Sequence, residues 1–271
     1  MNKTILITGS TDGIGKLTAL KLAKEGHVIY IHGRSVEKVS AVISEIKEAS
    51  KNENINGFVA DFSDLDAVVK MADKIKNEIL KIDVLINNAG IFKSKIAQNK
   101  NGIDIRMVVN YLAPYVLTKA ILPILKKSKT PRIINLSSAA QAPVSEAILR
   151  GTAQDSENST YAQSKLALTM WSINLAKQEP NSIVITLNPG SLLNTKMAIE
   201  AYGQYWSPAE KGVAVLVDLA LSDNYINDSG KYFDNDKGED KGYFSPAHAD
   251  AYDAVKVDAL VRITNSVLNG L

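Results

Sequence analysis

The chain has 271 residues, with 31 Lys and Arg against 29 Asp and Glu, a formal net charge of +2, and no cysteine. Dispersed basic residues in near balance with acids point away from nucleic acid, and the lack of cysteine excludes disulfides, thiol nucleophiles and thiolate metal sites. His27, His32 and His248 are too scattered for a metal-ligand spacing, so no metal is expected and each reads as structural. The apolar start Ile5-Leu6-Ile7 stops at Thr8-Gly9, too short for a secretory leader, and the apolar stretch 213–221 carries Asp218 and is far below spanning length. A soluble cytoplasmic protein with no membrane span is expected, its 1–271 forming one domain with no linker or internal repeat.

In chain order, short β-branched runs at 4–8, 28–32, 55–61, 84–87, 132–137, 182–188 and 231–233 alternate with amphipathic stretches. That alternation predicts an α/β fold: a doubly wound parallel sheet of about seven strands with helices on both faces.

The first run leads into Thr8-Gly9-Ser10-Thr11-Asp12-Gly13-Ile14-Gly15 and a helix over 14–24. A glycine-rich turn between strand and helix suits a dinucleotide pyrophosphate, because the helix N-terminus gathers unpaired N–H donors. Gly9 permits the tight turn, Gly13 lets backbone approach phosphate, and Gly15 lets helix and strand pack closely. The second run ends His32-Gly33-Arg34-Ser35, with no acid until Glu37. NAD sites place an acid near this point to bind ribose hydroxyls, whereas Arg34 offers a planar cation to a 2′-phosphate. NADP(H) is therefore favoured over NAD(H); the alternatives for Arg34 are a solvated side chain or one stacked on adenine.

Asp61-Phe62 closes the third run, where a carboxylate can accept from an adenine amino group, and Ser63 with Asp66 reads as a capping pair for the next helix. Asn87-Asn88-Ala89-Gly90 follows the fourth run with small residues that let the chain pass close to a cofactor; it is equally an ordinary strand-end turn. A long helix ahead of the fifth run contains Met107-Val108-Val109-Asn110-Tyr111. An amide inside an apolar helix needs a hydrogen-bonding reason, either as a core polar group or as part of a proton path. Ser137-Ser138 ends the fifth run, and a hydroxyl there can hold a carbonyl oxygen that gathers charge, although serine pairs also serve plain turns.

The polar stretch 139–159 is either a lid or substrate wall, or a mobile surface insertion. It ends in Ser159-Thr160-Tyr161-Ala162-Gln163-Ser164-Lys165, where Tyr161 and Lys165 stand one helical turn apart on one face. A phenol with pKa about 10 is a useful acid and base once a cation stabilises its phenolate. Pro189-Gly190 follows the sixth run, and Ser207-Pro208-Ala209-Glu210 reads as a cap, a first-turn proline and an N3 acid. Tyr202, Tyr205 and Trp206 are either packing residues or a cover over an apolar substrate.

Taken together, the motif TGSTDGIG, the NNAG segment, Asn110, Ser138, the Tyr161/Lys165 pair and Pro189-Gly190 resemble, in order and over residues 8 to 190, the main non-extended branch of the short-chain dehydrogenase/reductase family. The resemblance implies a Rossmann-like sheet and a catalytic tetrad of Asn110, Ser138, Tyr161 and Lys165. Lys165 would also hold the nicotinamide ribose, and Asn110 a water that relays protons to it. Cofactor contacts are implied for Gly9, Ser10, Thr11, Asp12, Gly13, Ile14, Gly15, Arg34, Asp61, Phe62, Asn88, Ala89, Gly90, Tyr161, Lys165, Pro189, Gly190 and Leu192. Thr195 is implied to reach the nicotinamide carboxamide or the pyrophosphate.

The activity implied is NADP(H)-dependent hydride transfer between a small-molecule carbonyl and its alcohol, with Tyr161 as general acid and base and loops near 139–160 and 191–210 as candidate covers. The substrate is not named by these residues, an apolar one being suggested only if Tyr202, Tyr205 and Trp206 cover it. Family members often form dimers or tetramers through the helix that carries Tyr161, so a homodimer or homotetramer is expected. The chain departs from compact members in two ways. Its Ser138-to-Tyr161 interval is longer, as in retinol-dehydrogenase-like members, which the segments HGRSVEK and SGKYF also resemble. Four residues separate Gly190 from Thr195, one more than usual, so either Asn194 or Thr195 is the contact. The competing readings are a nucleotide-sugar epimerase or dehydratase, disfavoured by the glycine spacing, and a non-catalytic NADP(H)-binding redox sensor on the same fold.

Overall fold

Runs of β-branched residues that carry no polar alternation make strands only where both faces are covered. A computed structural model of the chain, describing residues 2–238 and 241–270 and only the backbone at Tyr202, shows where that cover lies. The strands are β1 (Thr4–Ile7), β2 (Val28–Gly33), β3 (Ile55–Val59), β4 (Val84–Asn87), β5 (Arg132–Leu136), β6 (Ile183–Asn188), β7 (Tyr232–Asp234) and β8 (Tyr243–Phe244). They form one sheet in the order β3-β2-β1-β4-β5-β6-β7-β8, parallel throughout except for the antiparallel β7–β8 pair. Every residue of β4, β5 and β6 is buried, whereas edge strand β3 buries only Ile55 and Phe58.

Side-chain alternation sends Leu6, Leu85, Ile133 and Val184 to one core and Ile5, Ile7, Ile86, Ile134 and Ile185 to the other. The first core lies under α3 (Leu65–Glu78), α5 (Ala113–Leu125) and α7 (Glu157–Gln178). The second lies under α1 (Gly13–Lys24), α2 (Val36–Ser50) and α9 (Ala209–Leu221). Short helices α4 (Ile105–Met107), α6 (Glu146–Leu149) and α8 (Lys196–Tyr202) and the long α10 (Ala254–Asn269) complete the set. Between α4 and α5 the helix runs through a π-helical turn, Val108–Leu112, without a break.

The seven expected strands all form, with ends moved by a residue or two. The eighth, β8, was not expected; two residues are too few to leave a periodic signal. It is permitted by Gly242, where a Cβ would run into the carbonyl oxygen of Asp234. Two expected caps are corrected. Asp64, not Ser63, caps α3, its Oδ1 accepting the Asp66 N–H at 3.2 Å, while the Ser63 N–H turns back to Asp61. α9 starts behind Pro208 with no side-chain cap, because Ser207 is held by the preceding loop, donating its N–H to Leu192 and accepting from Asn194. Among the described residues one helix, Ile105–Leu125, is long and apolar enough to cross a bilayer. It is mostly buried, its α5 part packing against α3.

Candidate active site

The strand order reverses between β1 and β4, and in open α/β sheets ligands bind where the C-terminal ends of such strands part. The loop after β1 supplies Gly9 (φ +62°) and Gly13 (φ +55°), both in the left-handed region that side chains resist. A Cβ on Gly9 would stand 2.7 Å from the Ala89 Cα, and one on Gly15 would strike the Asn88 amide. Asn88 donates its side-chain N–H to the carbonyls of Thr8 and Gly9 at 2.8 and 2.9 Å. The Thr8 hydroxyl accepts the N–H groups of Asn88 and Ala89, both at 3.0 Å. The two strand ends are thus stitched together ahead of the turn at the start of α1, where Asp12 caps the helix by accepting the Gly13 N–H at 2.7 Å.

A buried histidine braces this turn from below. Gly9 donates its N–H to His32 Nδ1 at 3.1 Å, and Nε2 lies 3.0 Å from the Ala60 carbonyl oxygen, which requires the neutral Nε2–H tautomer. Burial holds the imidazole pKa down to about 4, and the Phe62 ring stacks on it with centroids 4.2 Å apart. Ser10 is equally inward: its hydroxyl donates to Ile7 and accepts from His32, and its N–H bonds the His32 carbonyl. Ser10 and Phe62 therefore support the loop from beneath. Arg34 and Asp61 lie exposed at the ends of β2 and β3. Glu37, in the first turn of α2, accepts the Ser35 hydroxyl at 2.6 Å.

The chemical half gathers around α7. Lys165 is buried, donates to the Leu136 carbonyl at 2.8 Å, and sits 5.6 Å from the centre of the Tyr161 ring. Burial lowers its pKa to about 8. Tyr161 is half-buried, with the Phe92 ring tilted against it at 4.8 Å. Asn110 lies in the π-helical turn, a feature that recurs at functional sites. Its Oδ1 accepts the Ile91 N–H at 2.8 Å, and its Nδ2 donates to the Ile91 carbonyl and to Ser164 Oγ, each at 3.0 Å. A Cβ on Gly90 would lie 3.3 Å from Asn110 Oδ1 and 3.4 Å from Lys165 Nζ, so the end of β4, the π-helical turn and α7 converge on one point. Ser138 stands past the end of β5, its Oγ accepting the Ala140 N–H at 3.1 Å; its neighbour Ser137 donates to the Lys165 carbonyl at 3.0 Å, docking β5 against α7.

The stretch 139–159 is tied to its surroundings. It contains α6, and α7 already starts at Glu157 behind a Ser156 cap. Ala142 donates to Ala162, Ser145 to the Gln163 side chain, and Arg150 to Ser266 on α10. After β6, the hairpin between β7 and β8 clamps the next loop. Asp236 accepts the N–H of Ser191 at 2.7 Å and its hydroxyl at 2.5 Å, and Asn235 donates to the Pro189 carbonyl at 2.9 Å. Burial raises the Asp236 pKa, but the hydrogen bonds from Ser191 and Asn188 outweigh it and hold the carboxyl below its ordinary range. Leu192 follows with φ +46°, a strained value for leucine.

Thr195 caps α8, and its methyl lies 3.8 Å from where a Cβ on Gly13 would stand. Asn194 is exposed and bonds Ser207 through its backbone. Both residues line the cavity beside Asp12 and Gly13, with the Thr195 methyl facing the glycine. Tyr205 and Trp206 are exposed, Trp206 by 71%, and the Tyr202 side chain lies outside the described residues. Sequence reasoning did not single out His32, Asn235, Asp236 or Tyr232 for this site. A histidine ending a strand beside a glycine turn was the one available hint.

Residues 3–205 match the family model described as short chain dehydrogenase. Retinol dehydrogenase 13 from Homo sapiens is 32% identical over 252 residues, spanning 86% of this chain and 76% of its own. Retinol dehydrogenase 12 from Mus musculus is 30% identical over 247 residues, spanning 87% and 78%. Among solved structures, a short chain dehydrogenase from Shigella flexneri complexed with NADP aligns with a TM-score of 0.71 at 26% identity, covering 86% of this chain and 97% of that one. The strand order, the glycine turn at the switch point and the helix bearing Tyr161 and Lys165 agree with that match, and the chain belongs to the short chain dehydrogenase family.

Proposed function

We propose that the protein is an NADP(H)-dependent oxidoreductase that interconverts a carbonyl and an alcohol, with Tyr161 as general acid and base. The observation that carries this is the buried Lys165 ammonium one turn from Tyr161, both beside the strand ends where the glycine turn opens. The turn fits a dinucleotide: Gly9 and Gly13 have positive φ, and the N-terminus of α1, whose dipole favours an anion, opens directly behind them. Gly9, Gly13 and Gly15 would cradle the pyrophosphate, Thr195 would close over it, and Arg34 would meet a 2′-phosphate. When bound, the nicotinamide supplies or takes up the hydride at the substrate carbon.

The chain's own residues do the rest. Ser138 Oγ accepts the Ala140 N–H, an arrangement that leaves its own proton for the substrate oxygen as charge gathers there. Tyr161 protonates the alkoxide in reduction and takes the alcohol proton in oxidation, a contribution typically worth about 10²–10⁴-fold. With a pKa of about 8, Lys165 is largely protonated at neutral pH and stabilises the phenolate. Asn110 fixes the Ile91 backbone and Ser164, holding the loop after β4 against α7. Phe92 gives the site an apolar side next to Tyr161. Together with relatives named for retinol, this supports an apolar substrate enclosed by segments 139–160 and 191–210.

Turnover of NADPH with a panel of aldehydes tests the reading. Tyr161→Phe is expected to lower kcat at least about 100-fold with NADPH affinity unchanged; undiminished turnover overturns the role. Tight NADPH binding without turnover of any carbonyl favours the sensor instead. Arg34→Ala is expected to weaken NADPH by about tenfold, ~1.4 kcal/mol, and NADH hardly at all; equal losses undo the cofactor assignment.

A further inference from the structure

The Ser138 hydroxyl is aimed by its own backbone, and that backbone is held by side chains from elsewhere. Its carbonyl lies past the end of β5, and accepts two hydrogen bonds, from the Tyr232 hydroxyl at 3.0 Å and from Gln141 Nε2 at 3.0 Å. Tyr232 is 3% exposed and sits on β7, its backbone in register with Thr186 of β6 and its carbonyl accepting the Ser245 N–H at 3.0 Å. A short aromatic side chain on a paired strand is a rigid strut. Gln141 is oriented in turn, because its Oε1 accepts the His248 N–H at 3.1 Å, which turns Nε2 toward the Ser138 carbonyl and the Tyr232 hydroxyl.

We propose that Tyr232 and Gln141 are positioning residues for Ser138, so that β7 and the segment behind it set the direction of the hydroxyl that binds the substrate oxygen. The inference rests on the hydride-transfer reading above. Two donors on one carbonyl lock the Ser138 peptide plane. The turn from Ser138 to Gln141 is closed by the Ala140 N–H on Ser138 Oγ, so tilting that plane swings the hydroxyl. Catalytic groups tolerate displacements of only about 0.5 Å, and a shift of about 1 Å can cost on the order of 100-fold in rate. Tyr232 is not a second acid: burial first, then the Asp234 and Asp236 carboxylates, push its phenol pKa far above the ordinary value, so it stays a donor.

The test uses the whole chain with NADPH and aldehydes from benzaldehyde to decanal. Tyr232→Phe, which keeps the ring, and Gln141→Leu are each expected to lower kcat about tenfold, with KM and NADPH affinity within about twofold. In a Ser138→Ala background, Tyr232→Phe is expected to cost less than about twofold, because no hydroxyl remains to be aimed. Equal losses in both backgrounds, or no loss in the parent, overturn the proposal. A second readout needs no substrate: the Ala140 amide is expected to exchange with solvent about tenfold faster in Tyr232→Phe. If the parent protein turns over none of the aldehydes, the functional reading falls by itself. The Ala140 amide then still decides the positioning role, and unchanged exchange refutes it.

Discussion

His32 carries no chemistry in the proposed reaction, yet it sets the shape of the turn that would receive the cofactor. Its ring is neutral because charging it would bury an uncompensated cation and turn Nδ1 from acceptor to donor against the Gly9 N–H. With a folded pKa of about 4 against about 6.5 when unfolded, the unfolded chain binds a proton that the folded one refuses anywhere between those values. Stability from this group is therefore complete above pH 6.5 and falls as the pH drops toward 4, by up to about 3 kcal/mol. We expect the thermal midpoint to fall over that window and His32→Gln to flatten the slope; identical slopes would contradict the assignment. The Tyr161/Lys165 juxtaposition was legible in the sequence because the two are neighbours by helical spacing. His32 was not, because its partners Gly9 and Ala60 lie 23 and 28 residues away.

At the scale of elements, periodicity located seven strands and the helices between them, since covered strands and amphipathic helices write their burial into local sequence. What it misjudged were the ends. Ser63 and Ser207 have the chemistry of caps, but Asp64 competes successfully for α3, and the 192–207 loop takes the backbone of Ser207. Asn110 was readable as an amide that needed partners. The π-helical turn that carries it to Ile91 was not, because an extra residue in a helical turn leaves no change in the apolar pattern of Val108 to Leu112. The stretch 139–159 read as polar and irregular, yet its anchors Ala162, Gln163 and Ser266 all lie on other elements, where composition gives no warning. The same holds for Asp236 and Asn235, which reach across from the β7–β8 hairpin to fix the loop after β6.

At the scale of the whole molecule, the resemblance led to an expectation of pairing through the helix that bears Tyr161. In the single chain, every residue of α7 from Gln163 to Ile173 is already buried. α10 packs on α7 and is fastened to the neighbouring helix by the Tyr111 hydroxyl on Thr264 at 2.7 Å and by the Tyr115 hydroxyl on Asn265 at 2.7 Å. The middle of α7 has no exposed face to offer a second copy. We expect substitutions on the middle of α7 to leave the mass seen by light scattering at micromolar concentration unchanged; a dimer mass abolished by substitutions on α7 would contradict this.

An enzyme whose catalytic helix is sheltered by a neighbouring subunit loses that shelter on dilution, and its melting point slides with concentration. Here the roof over α7 is covalently attached. Protection of the α7 amides from solvent exchange is accordingly expected not to depend on protein concentration.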